Sequence, residues 1–82
     1  MGPQDALDAS ELYAHIARLP EGFRDALVAV DLVGLSYREA AWALRVREAT
    51  ITTRLYRARR RLARALDRTD AASGEVRSHA EP

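Results

Sequence analysis

Between residues 45 and 68, nine arginines meet only two acids, Glu48 and Asp67, and every basic residue of the 82-residue chain is arginine. A guanidinium is a fixed fork of donors that fits phosphate oxygens, or the O6 and N7 atoms of guanine, two bonds at a time. The chemistry in view is recognition of nucleic acid. Ile51, Leu55, Ala58, Leu62 and Leu66 recur every three or four residues, which predicts a helix over 49–67 with that stripe inward and Ala65 beside it. Thr52, Thr53, Arg54, Tyr56, Arg57, Arg59, Arg60, Arg61 and Arg64 then face outward. One side is made to pack and the other is almost wholly cationic.

A helix laid in the major groove reads base edges with its first two turns, while more distal cations reach the flanking strands. On that geometry Thr53, Tyr56 and Arg57 are the candidates for base contacts. Arg57 suits a bidentate pair with guanine, Thr53 a base edge or a thymine methyl, and Tyr56 offers a flat apolar ring with one hydroxyl. Arg54, Arg59, Arg60 and Arg61 are assigned to phosphates, joined by Thr50 at the helix start and Arg38 upstream. Two plainer readings stand beside these: a charged helix face is often only a solvated surface, and Tyr56 also suits the edge of a core.

Other chemistries find little to work with. Cysteine is absent, so disulfides, thiolate zinc ligands and a cysteine nucleophile are excluded. His15 and His79 are isolated, the acids form no paired carboxylate site, and no glycine-rich phosphate loop occurs. No enzyme, metal or cofactor is expected. No apolar run approaches the ~20 residues that cross a bilayer, and the start lacks a signal-peptide pattern, so a soluble, cytoplasmic module is the expectation. The net charge of +1 conceals a polarised chain: residues 1–44 hold three arginines against seven acids, and residues 69–82 hold one against three. A local basic surface attracts phosphate whatever the total.

Three further helices must position that face. The first is expected from an N-cap at Ser10 to about Arg18, with Leu12, Ile16 and Leu19 inward. Pro20 suits the first position of a second helix, which carries Phe23, Ala26, Leu27, Val30 and Val33 on its apolar side and ends at Gly34. Ser36 followed by Glu39 is a capping box that opens a third helix to about Leu44. A short link at 45–48 leads into the cationic helix. The fold class is therefore all-α, a four-helix module with a C-terminal helix-turn-helix over 9–68, a flexible segment at 1–8 and a disordered tail at 69–82.

The stretch from Leu19 to Leu66 resembles region 4 of the extracytoplasmic-function (ECF) sigma factors of bacterial RNA polymerase. LPEGFRDALVAVDLVGLSYREAA (19–41) is similar to the family's opening, and ATITTRLYRARRRLARAL (49–66) to its recognition helix, at the family's distance apart. The resemblance implies recognition of the −35 element of promoter DNA. It places Thr53, Tyr56 and Arg57 at base-reading positions, and Arg54 and Arg59 at phosphate-facing ones. It also implies docking on the β flap of the polymerase core, and control by an anti-sigma protein. The family's DNA-melting domain has no counterpart here, so the chain is expected to be an excerpt of a longer factor. Two other readings remain: the effector domain of a response-regulator-type transcription factor, and a basic protein-interaction module.

Four places depart from the family's pattern. Arg45 stands where glycine is usual in the turn, Arg47 where a capping residue is common, and Thr52 where a cation is usual. In the third helix Ala40 and Ala43 replace larger residues, and Trp42 replaces a surface acid. Either Trp42 folds over to restore the lost core volume, or it is an exposed anchor for a protein partner.

Overall fold

The computed structural model describes residues 9–73, with side chains to Arg68. The expectations for segment 1–8, His79 and residues 74–82 lie outside the described residues. Helix α1 spans Ala9–Ala17, α2 spans Glu21–Leu27 and continues through a π-turn at Val28–Leu32, α3 spans Tyr37–Leu44, and α4 spans Glu48–Ser73. All the described elements are helical, which makes this an all-α helix-turn-helix fold.

Helix α4 is the spine, and its inward stripe serves two core lobes. At one, Leu55 and Ala58 meet Ile16 and Leu19 of the α1 end and Leu27 of α2, with Leu12, Phe23 and Leu62 around them. At the other, Ile51 sits fully buried among Ala26, Ala29, Ala40 and Ala41. Four alanines around one isoleucine let the backbones of α2 and α3 approach α4 closely, and that closeness fills the volume the small side chains leave. Trp42 does not fold over: it is 85% exposed, which overturns the simpler of its two expected roles.

The helix ends show where local chemistry rules. Ser36 accepts from the Glu39 backbone N–H at 2.9 Å, and the Ser36 N–H donates to Glu39 Oε1 at 2.8 Å, completing the capping box. At the other end of α3 the Arg45 N–H donates to the Trp42 carbonyl and the Val46 N–H to the Ala41 carbonyl. That is the Schellman pattern, and it needs a left-handed residue, here Arg45 at φ 61°. A non-glycine residue is strained there by about 1–2 kcal/mol. The return is a three-residue turn that sets α4 across α3.

Four expected boundaries differ. Ser10 lies inside α1 rather than capping it. Pro20 is the N-cap of α2, not its first helical residue, and its carbonyl accepts from Arg24 N–H at 2.8 Å. Helix α4 begins at Glu48 and runs six residues past Asp67, to Ser73, since adding residues to an existing helix avoids the cost of nucleating a new one. The π-turn has no counterpart among the expected elements. The Val33 N–H donates to the Val28 carbonyl, five residues back, at 2.9 Å. One extra residue per turn rotates the succeeding residues by about 100°, and Val33, expected in the core, is 65% exposed. Gly34 does end the element, at φ 91°.

Candidate nucleic-acid interface

The first three turns of α4 present the expected face. Ile51, Leu55 and Ala58 are buried, and Thr53, Tyr56 and Arg57 on the other side are exposed, Tyr56 by 60%. Thr50, Thr53, Arg54 and Arg57 share one shallow depression, walled by Phe23 of α2. Three- and four-residue spacing puts them on one side of the helix, so a groove floor laid against that side meets two hydroxyls and two guanidinium groups together.

The outward cations are held in different ways. Arg54 is half-buried: its guanidinium lies over Gly22 in the first turn of α2, so close that a Cβ on Gly22 would meet its Cζ at 3.2 Å. Arg60 lies 5.8 Å from the centre of the Tyr56 ring, and its Nη1 donates to the Tyr56 hydroxyl at 3.4 Å. An exposed cation–π contact of this kind contributes about 0.5–1 kcal/mol, enough to hold the two side chains as a pair. Arg61 lies 5.2 Å from the centre of the Phe23 ring. Thr52 turns back on its own helix, its hydroxyl donating to the Glu48 carbonyl at 3.2 Å.

Arg59 differs from the free cation the sequence suggested. Its Nε and Nη2 donate to the two carboxylate oxygens of Asp31 at 3.0 and 2.7 Å, a bidentate pair between the π-turn and α4. The Asp31 hydrogen bonds, aided by Asp31's charge and by Tyr37 and opposed by slight desolvation, hold the guanidinium above its ordinary range. A raised folded-state value on a cation adds stability that disappears only at strongly alkaline pH. Arg59 therefore keeps its charge across the neutral range. In this structure Arg59 ties α4 to the π-turn through a surface ion pair, its own side chain remaining 51% exposed.

Arg38 is exposed on the first turn of α3. Trp42, four residues on, lines a separate depression with Arg45 and Val46, at the α3 end of the turn. Thus Thr50, Thr53, Arg54 and Arg57 are brought together, Tyr56 and Arg60 form a neighbouring pair, and Arg59 and Trp42 stand apart. Sequence reasoning missed Phe23 and Gly22, which wall and seat the face, and Asp31, which holds Arg59. Their apolar or small character, or in Asp31 a lone charge, carries no local signal of that role.

Among the described residues no group of histidines or acids is placed to hold a metal ion, and no helix is long and apolar enough to cross a membrane. No solved structure matches the chain. The family profile for sigma-70, region 4, matches residues 9–62, from the start of α1 to the middle of α4. The match includes both lobes of the core, the capped α3, the tight turn and the reading face. The chain belongs to the sigma-70 region 4 family, a helix-turn-helix DNA-binding domain of transcription factors.

Proposed function

We propose that this domain recognises the −35 element of promoters as region 4 of an ECF sigma factor, directing RNA polymerase to start transcription in the bacterial cytoplasm. One observation carries the reading: Thr50, Thr53, Arg54 and Arg57 line one depression on the first three turns of α4, while Ile51, Leu55 and Ala58 behind them are buried. In this reading Thr53, Tyr56 and Arg57 read base edges. Arg38, Thr50, Arg54, Arg60 and Arg61 hold phosphates and set the register. Arg59 reaches a phosphate only by sharing itself with Asp31. The polymerase β flap holds the domain in place, and the exposed Trp42 supports a second, protein-facing surface, open to an anti-sigma protein.

Selection of bound duplexes from a random DNA pool, with and without polymerase core, tests it. The expected result is one enriched motif, read as a single site and sharpened by core. A pool that stays random under both conditions would overturn the proposal. Enrichment of paired half-sites would also overturn it, pointing to a dimeric regulator instead.

A further inference from the structure

The outward stripe of α4 does not stop at Arg57. Arg61, Arg64 and Arg68 succeed it at spacings of four, three and four, so they repeat its side of the helix to the last described side chain. Facing them, α1 and the loop after it supply His15, Arg18 and Pro20, and all six line one open depression. Four of its lining residues are arginines and none is an acid. Like charges gathered this closely repel one another until an anion sits among them, so the basin concentrates negative charge.

We propose that this basin is a second phosphate clamp, gripping the sugar-phosphate strand that flanks the bases read by the first three turns of α4. The inference rests on the DNA-binding reading above and extends it from Arg61 to Arg18, Arg64 and Arg68, which that reading does not use. The distance from Thr50 to Arg57 along the helix is about 10 Å, and this is the stretch laid against the base edges in that reading. Arg64 and Arg68 lie about 10 and 16 Å beyond Arg57 along the helix, outside the turns assigned to base reading. A straight helix cannot track the curving groove, so its second half leaves the bases and crosses backbone. There Arg18 supplies a cation from beside a second helix, and the strand is held between α1 and α4. The two depressions join through one contact, since Arg61 of the second stacks on Phe23 of the first. That continuity favours one duplex across both over an acidic protein segment in the second alone.

The test compares the wild-type domain with an Arg18→Ala, Arg64→Ala, Arg68→Ala variant, all three side chains being exposed. Arg24→Ala is the control, because Arg24 pairs with Asp25 at 3.5 Å and lines neither depression. Fluorescence anisotropy follows binding to a duplex carrying the selected motif, and to a shuffled duplex of equal length, over about 50–200 mM salt. Each phosphate contact removed lowers the salt slope by about 0.9, so the triple variant should lose between 2 and 3 units and bind about a hundredfold more weakly near 0.15 M. Its ratio of selected to shuffled affinity should stay that of the wild type, and the control should keep its slope. A triple variant with an unchanged slope on both duplexes overturns the clamp. If the wild type fails to distinguish the duplexes, the base-reading proposal falls, while the slope on the shuffled duplex still judges the clamp. Should the triple variant melt early, Arg64→Ala alone answers the question through its loss of about 0.9 in slope.

Discussion

Arg57 and Arg61 are one turn apart on α4, yet their surroundings assign them different work. Arg57 shares its depression with Thr50 and Thr53 on the groove-facing turns, whereas Arg61 stacks on Phe23 at the start of the second basin. Replacing Arg57 with alanine should relax preference at one base position, a loss of about 1–3 kcal/mol of discrimination. Arg61→Ala should weaken every duplex alike and lower the salt slope by about 0.9. Competition binding against single-base variants of the selected motif checks both, and identical behaviour would dissolve the division into readers and clamps. Trp42 makes a separate test at this scale. At 85% exposure its fluorescence should resemble that of the free indole in water and be readily quenched by acrylamide. A blue-shifted, protected signal would contradict the exposed placement. The exposure of Thr53, Tyr56 and Arg57 is legible in the sequence because helical periodicity fixes which side each residue takes. The partial burial of Arg54 over Gly22 is not, since it depends on how near α2 comes.

At the scale of elements, legibility tracks sequence distance. The Ser36 and Glu39 capping box joins residues three apart and is plain in the sequence. The strained Arg45 is identifiable because the tight turn requires a left-handed residue and the chain has no glycine there. The π-turn is hidden because periodicity assumes one turn length throughout, and a single wider turn is enough to carry Val33 out of the core. The Asp31–Arg59 pair joins residues 28 positions apart, which no local pattern relates. That pair has a measurable consequence. Asp31→Asn should destabilise the domain by about 0.2–1 kcal/mol, the range of exposed ion pairs, seen as a lower thermal midpoint. It should also release Arg59 and strengthen non-selective DNA binding, raising the salt slope by about 0.9. A lower midpoint with no change in DNA affinity would mean that Arg59 does not reach the duplex even when freed.

The molecule as a whole separates its two tasks along a single helix. The inner stripe of α4 gathers α1 and α2 at Leu55 and Ala58, and α2 and α3 at Ile51. Its outer stripe carries the cations of a chain whose first half is acidic, so the charge is displayed on one side although the total is only +1. Small size makes this economical: the residues that close the core and those offered to DNA alternate on the same turns. An ¹⁵N–¹H correlation spectrum recorded while the selected duplex is added tests that division most directly. The expected shifts centre on Thr50, Thr53, Arg54 and Arg57, spread along α4 toward Arg64, and leave the Trp42 surface untouched. Shifts centred on Trp42 and Val46, with the first three turns of α4 unmoved, would contradict it.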